Sequence, residues 1–92
     1  MPLLFDWDSV KAEANARKHG VTFEEASTAF ADPLSVTIPD PDHSEAEVRF
    51  LLLGHTFRGR LVVVAHTERG DTIRIISARF ATQGERDAYE KP

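Results

Sequence analysis

Four side chains in the second half of the chain carry the functional groups that phosphodiester cleavage requires. Histidine exchanges a proton near neutral pH, arginine is a permanent cation, and tyrosine offers a hydroxyl and an aromatic face. RNA supplies its own nucleophile, the 2′-hydroxyl, so a ribonuclease that uses no metal needs a base, an acid for the leaving oxygen and cations for the transition state. We therefore expect catalytic roles, without a cofactor, for His55, Arg60, Arg79 and Tyr89.

Charge is distributed unevenly in this chain of net charge −4. Residues 1–48 hold 3 basic and 10 acidic groups, whereas residues 49–92 hold 8 basic and 5 acidic groups, and seven of those eight are arginine. Arginine suits bidentate phosphate contacts, so the second half can carry a local anion site; a solvated sheet edge explains the same charges. Further RNA contacts are expected from Lys18, Arg58, Arg69 and Arg86.

Several other chemistries lack their residues. The chain has no cysteine, which excludes a disulfide framework, a thiol nucleophile and thiolate zinc sites and fits a reducing compartment. The four histidines have no close metal-ligand spacing, so we expect no metal site; they are His19, His43, His55 and His66. The start, MPLLFDWD, resembles neither a signal peptide nor a membrane span, and we expect a cytoplasmic protein without membrane contact.

The elements that must position these residues follow from caps and turns. Asp8 and Gly20 bound a first helix from Ser9 to His19, and a second helix opens with the Thr22/Glu25 pair as a capping box and ends at Asp32-Pro33. Thr82 and Glu85 open a short third helix in the same way. LLFD and LSVTI are strand candidates, and three longer strands are predicted over 49–56, 60–67 and 72–79.

The order β-α-α-β-β-β-β-α predicts one α+β domain spanning residues 1–92, with a mostly antiparallel sheet of four to five strands. The acidic segment PDPDHSEAE between the second and third strands is predicted to be an exposed loop. No repeat or linker divides the chain.

The hairpin turns decide whether the two arginines meet. A first turn on Arg58-Gly59 and a second on Arg69-Gly70 place Arg60 opposite Arg79, on the face away from Phe50 and Leu52. Like charges directly opposite are unfavourable, which suggests an anion between them.

On that register His55 shares the face of the two arginines, together with Arg49 and His66. Arg74, five residues before Arg79, falls on the core face, where we expect a structural arginine paired with a carboxylate. If the second hairpin loop had three or five residues, Arg74 and not Arg79 would lie on the face of His55.

Longer stretches of the chain resemble a known family. Two stretches carry the resemblance: FDWDSVKAEANARKHGVTFEEASTAFADP and GRLVVVAHTERGDTIRIISARFATQGERDAYE. From Phe5 to Glu90 the chain resembles the BrnT toxins of bacterial type II toxin–antitoxin systems. The resemblance implies a RelE-like fold, ribonuclease activity that inhibits translation, and neutralisation by a BrnA antitoxin with a ribbon-helix-helix DNA-binding region. It also implies that operator DNA is bound only through the antitoxin, and it matches Arg60, the segment 79–86 and Tyr89 to RNA-cleaving positions of the RelE-like group.

One segment departs from the family pattern. BrnT-like chains usually have a lysine at the position that Phe80 occupies here and a basic pair at the positions of Gln83 and Gly84. A basic residue is also common at the position of Asp87. The loss of these cations is expected to weaken RNA attraction and catalysis. The alternative function is therefore an antitoxin-binding protein of little or no activity that acts as a transcriptional co-repressor.

Overall fold

A computed structural model of the protein describes residues 3–41 and 47–91. The elements, in chain order, are β1 (Leu4–Asp6), α1 (Ser9–His19), α2 (Phe23–Thr28), a 3₁₀ turn (Ala29–Ala31), β2 (Val36–Pro39), β3 (Arg49–His55), β4 (Leu61–Arg69), β5 (Thr72–Phe80) and α3 (Gln83–Glu90). This is the predicted α+β order with two N-terminal helices and a short C-terminal helix. Residues 42–46, which include His43 and most of the predicted acidic loop, lie outside the described residues.

The strands form one five-stranded sheet in the order β1-β5-β4-β3-β2. β1 runs parallel to β5, and the other neighbours are antiparallel. One face of the sheet, the helix-side face, packs against α1 and α2 to form the core; its buried residues include Leu52, Val62, Val64, Ile75 and Ala78, with Phe23 and Ala26 from α2. The opposite face is called the outer face, and α3 lies against part of it through Glu85 and Ala88.

The helix ends are satisfied largely as their sequences predict. The Asp8 carboxylate accepts hydrogen bonds from the first turn of α1, and Gly20 ends that helix with a left-handed φ of 75°. Thr82 and Glu85 form the reciprocal capping box of α3. At α2 only half of the predicted box is present: Thr22 accepts from the Glu25 N–H, whereas the Glu25 side chain points to other partners.

The first hairpin has one more loop residue than the sequence predicted. Its loop is Phe57-Arg58-Gly59, with the Thr56 N–H donating to the Arg60 carbonyl at 2.9 Å and Gly59 at φ 74°. A three-residue loop that ends in a left-handed glycine is a common hairpin connection. His55 consequently pairs with Leu61 and not with Val62, which moves Arg60 to the helix-side face.

The second hairpin contains a bulge that the sequence analysis did not predict. The turn falls on Gly70-Asp71, because Arg69 pairs with Thr72. Further along, Ala65 pairs with Ser77 while His66 pairs with Ile75, so β5 carries one extra residue.

The bulge moves Arg74 to a face that the sequence did not predict, whereas Arg79 lies on the outer face as expected. Because of the extra residue, Arg74 and Arg79 lie on the same, outer face although they are five residues apart, pairing with Thr67 and Val63. Arg74 bonds the Asp6 carboxylate, as expected for a structural arginine, but not on the core face. The prediction that Arg60 and Arg79 meet across adjacent strands is wrong, since they lie on opposite faces of the sheet.

His66 was also placed on the wrong face. It lies in the core, 1% exposed, with its ring against Phe30 and Phe50. Burial lowers the pKa of His66, so the ring is kept neutral. No helix among the described residues has the length and apolar character needed to cross a membrane.

Candidate active site

Arg60 is held in an ion pair with a buried carboxylate. Its guanidinium makes two hydrogen bonds to Glu25, which is 6% exposed and also accepts from the Thr56 hydroxyl at 2.8 Å. The hydrogen bond from Arg60 lowers the pKa of Glu25, and it outweighs the opposing effect of burial. The guanidinium carbon lies 5.0 Å from the centroid of the Phe80 ring. Arg60 therefore joins α2 to the start of β4 and already has a full anionic partner.

Arg79 is also paired with a carboxylate. Its two terminal nitrogens donate to the Glu85 oxygens at 2.8 and 2.9 Å, which fastens α3 to β5. The hydrogen bond from Arg79 is the main cause that brings the pKa of Glu85 down to about 2. Neither predicted catalytic arginine is thus a free cation, and an RNA phosphate would have to replace a glutamate at either one.

His55 and Tyr89 do come together, around a carboxylate that the sequence analysis had treated only as a helix stop. Asp32 Oδ2 accepts hydrogen bonds from the Tyr89 hydroxyl at 2.6 Å and from the backbone N–H of His55 at 2.8 Å. It also lies 3.8 Å from the imidazole Nδ1 of His55. The two rings meet edge to face with centroids 4.8 Å apart. We call these three residues the Asp32 cluster.

The Asp32 cluster is built to keep one negative charge close to the imidazole. Burial by itself would raise the pKa of Asp32, but hydrogen bonds from the backbone of His55, from Tyr89 and from the backbone of Leu34 together lower it. The same bond to Asp32, with burial, raises the pKa of Tyr89 to about 12. Tyr89 is therefore a protonated donor at neutral pH, and Asp32 is the ready counter-ion for a protonated His55.

The imidazole Nε2 of His55 is available for proton transfer, whereas Nδ1 faces Asp32. The His55 side chain is 36% exposed, compared with 10% for Asp32. Within residues 3–41 and 47–91, the imidazole contacts Asp32 through Nδ1 and Tyr89 through its ring, and its Nε2 has no hydrogen-bond partner. One ring nitrogen that faces a carboxylate and a second that is unpaired is the arrangement that general acid–base catalysis by histidine uses.

The four predicted RNA contacts are divided between the two ends of the sheet. Arg58 is 60% exposed in the β3–β4 loop, and Arg86 is half-buried on α3, three residues from Tyr89 and so on the same side of the helix. Lys18 is exposed in the last turn of α1. Arg69 bonds Glu47 at the far end of β4, roughly 26 Å of strand away from the β3–β4 loop.

Sequence reasoning missed the partners Glu25 and Asp32. For Glu25 a signal existed: it precedes buried Ala29 by four residues and so lies on the apolar side of its helix, where a carboxylate needs a cation. For Asp32 no such signal existed. The pattern Asp-Pro indicates a helix end, and no sequence feature links Asp32 to His55 and Tyr89, which follow it by 23 and 57 positions. Among the described residues, no three or more histidine or acidic side chains gather as a metal site.

Comparison with known proteins agrees with this architecture. A protein-family model described as "Ribonuclease toxin, BrnT, of type II toxin-antitoxin system" matches residues 7–85, most of the chain. The chain belongs to the BrnT family. Membership makes it a ribonuclease toxin of the type II toxin–antitoxin class and implies an antitoxin partner.

A solved BrnT structure has the same fold. The 1.1 Å crystal structure of the Brucella abortus ribonuclease toxin BrnT aligns with a TM-score of 0.64, covering 89% of this chain and all of that one at 21% sequence identity. The BrnT fold is thus retained at low identity. No curated protein matches the sequence.

Proposed function

We propose that this BrnT-family protein cleaves RNA without a metal, through attack of the 2′-hydroxyl on the adjacent phosphate, at the Asp32 cluster. The observation that carries the proposal is the His55 imidazole, which lies against Asp32 and Tyr89, is 36% exposed and has no hydrogen-bond partner for Nε2 in the part of the chain that the structure describes. His55 takes the proton of the 2′-hydroxyl, and Asp32 stabilises the imidazolium that forms. The attacking oxygen forms the new bond to phosphorus as the bond from phosphorus to the 5′-oxygen breaks, and the leaving oxygen takes a proton from solvent water. The products are a 2′,3′-cyclic phosphate and a 5′-hydroxyl, and the imidazolium of His55 returns its proton to solvent.

Two arginines are close in the chain to members of this cluster, one on α3 and one in the hairpin loop. Arg86 shares a side of α3 with Tyr89, and Arg58 lies three residues beyond His55; both are proposed phosphate contacts. Arg60 and Arg79 remain proposed catalytic residues, each acting only after its glutamate is exchanged for phosphate. Lys18 and Arg69 are proposed to bind flanking RNA.

The test is cleavage of a single-stranded RNA by purified protein in the presence of a chelator, with the product ends identified. His55→Gln should lose activity by about 10²- to 10⁴-fold, the usual value of a general base, while retaining the fold. His19→Gln, at the end of α1 outside the cluster, is the matched control. Cleavage that continues at the wild-type rate in His55→Gln, or that stops when metal is removed, contradicts the mechanism.

A second function has its own support. Both Arg60 and Arg79 are neutralised by bidentate glutamates, which leaves fewer cations for RNA. We therefore keep the alternative of a weakly active or inactive protein that binds a BrnA-type ribbon-helix-helix antitoxin and strengthens operator binding through it. Growth arrest when the chain is expressed without antitoxin selects the ribonuclease; operator repression without arrest selects the co-repressor.

A further inference from the structure

We propose that the cleft beneath the β3–β4 loop binds an unpaired base of the RNA strand, next to the nucleotide that is cleaved at the Asp32 cluster. This inference rests on the proposed ribonuclease function and adds a base-binding subsite to it. The cleft, of about 340 Å³, lies on the helix side of the sheet and is called the hairpin cleft; it is lined by Gly20, Thr22, Glu24, Glu25, Phe57, Arg58 and Arg60.

Two exposed aromatic rings lie at or beside the hairpin cleft: Phe57 lines it, and Phe80 contacts Arg60 at its edge. Phe57 is 75% exposed and Phe80 is 40% exposed, whereas the other described phenylalanines, the tryptophan and the tyrosine are all half-buried or buried. An exposed phenylalanine gains nothing from folding, but it offers a flat surface on which any base can stack. Both rings lie at the same end of the sheet, with Arg60 against Phe80.

The backbone of the β3–β4 loop is held by hydrogen bonds although its aromatic side chain is exposed. The Phe57 N–H donates to the Thr28 hydroxyl at 2.9 Å, and that hydroxyl donates to the Glu25 carbonyl at 2.6 Å. Gly59 closes the loop with a hydrogen bond to the Thr56 carbonyl at 2.8 Å. A ring carried on a constrained backbone loses little entropy when a base stacks on it.

The charge of the hairpin cleft suits a neutral group. Its four ionised residues, Glu24, Glu25, Arg58 and Arg60, sum to zero, so the cleft attracts a phosphate only where an arginine leaves Glu25. A neutral base is better matched, because its carbonyl and ring nitrogens accept from a guanidinium and its amino groups donate to a carboxylate. Arg58, 60% exposed and 3.9 Å from Glu25, is the arginine less committed to an internal partner.

Position connects this cleft to the cleavage chemistry. Phe57 follows His55 by two residues, so their Cα atoms are at most about 7 Å apart. Thr56, between them, is buried. An RNA strand that crosses the loop can therefore stack one base on Phe57 while the neighbouring phosphate reaches the Asp32 cluster.

The experiment compares two uncleavable probes of equal length: a fluorescein-labelled 2′-O-methyl RNA and its abasic counterpart, which keeps only sugar and phosphate. Binding of each probe is measured by fluorescence anisotropy for wild type, Phe57→Leu and Phe57→Tyr. Phe57→Leu should weaken binding of the base-containing probe by about 5- to 150-fold, the fold-change that corresponds to ~1–3 kcal/mol for one stacked base. Binding of the abasic probe should not change, and Phe57→Tyr should bind as wild type does.

Controls and adverse outcomes separate this proposal from the proposed function. Val10→Ala, which shortens an equally exposed apolar side chain on α1, should leave the base-dependent difference unchanged. Equal weakening of both probes, or none, in Phe57→Leu overturns the base subsite. If that variant binds normally and wild type still cleaves RNA, the subsite is wrong and the ribonuclease proposal stands. If wild type prefers the base-containing probe through Phe57 but His55→Gln cleaves as wild type does, the catalytic assignment is wrong.

Discussion

Tyr89 is the one tyrosine of the chain, so the ionisation of its phenol can be followed directly by ultraviolet absorbance. The hydrogen bond to Asp32, with burial, raises the Tyr89 pKa from 10.0 to about 12. This rise in the Tyr89 pKa corresponds to roughly 2.7 kcal/mol of extra free energy for ionising the phenol. Because the ring is only half-buried, solvent screening reduces the contribution to folding stability to about 1–2 kcal/mol.

The perturbation is Asp32→Asn, which removes the negative charge and keeps the shape of the side chain. The Tyr89 pKa should then fall toward 10, while wild type titrates near 12. Circular dichroism of the same samples establishes that each protein is folded where its phenol ionises. A folded wild type whose phenol is half-ionised near pH 10, or an unchanged titration in Asp32→Asn, refutes the assignment of Asp32 as the cause.

Stability should change with the same bond. Since the folded-state pKa is raised above the unfolded one, the contribution is complete below pH 10 and is lost as pH rises through about 12. Tyr89→Phe should lower the free energy of unfolding by about 1–2 kcal/mol at neutral pH, because Asp32 retains its bonds from the backbone of His55 and Leu34. It should also lack the alkaline decline of wild type, as measured by urea unfolding.

Two further predictions concern the arginine–glutamate pairs. Arg60→Ala should lower the urea midpoint of unfolding, because it leaves buried Glu25 without its guanidinium partner. Adding Glu25→Gln to that variant should recover part of the loss. An Arg60→Ala protein as stable as wild type would show that the pair is dispensable. The depressed pKa of Glu85 gives stability that is present above pH 4.5 and lost as pH falls toward about 2. Glu85→Gln should lack that acid-dependent part when unfolding midpoints are compared across the window, and identical pH profiles would disprove the role of the pair with Arg79.

Local chemistry alone determined the elements of this protein. Asp8 and Gly20 bound α1, and Thr82 and Glu85 begin α3, because a cap uses only residues within one turn of the chain. The strands were predictable for a similar reason, since runs of β-branched residues between turn signals specify them without reference to the rest of the fold. The family resemblance, carried by motifs from Phe5 to Glu90, was likewise present in the sequence and was confirmed by the family match.

Tertiary structure decided which side chains meet. One additional residue in the β3–β4 loop and one in the β5 bulge set the faces of Arg60 and Arg79, and a one-residue change in register costs little locally but reverses every side chain beyond it. Glu25 has the sequence of a capping residue, yet burial beside Arg60 makes an ion pair the better use of its charge. Asp32 joins His55 and Tyr89 only because the 3₁₀ turn, β3 and α3 converge in the fold, and a contact between residues so far apart in the chain leaves no local pattern from which it could be predicted.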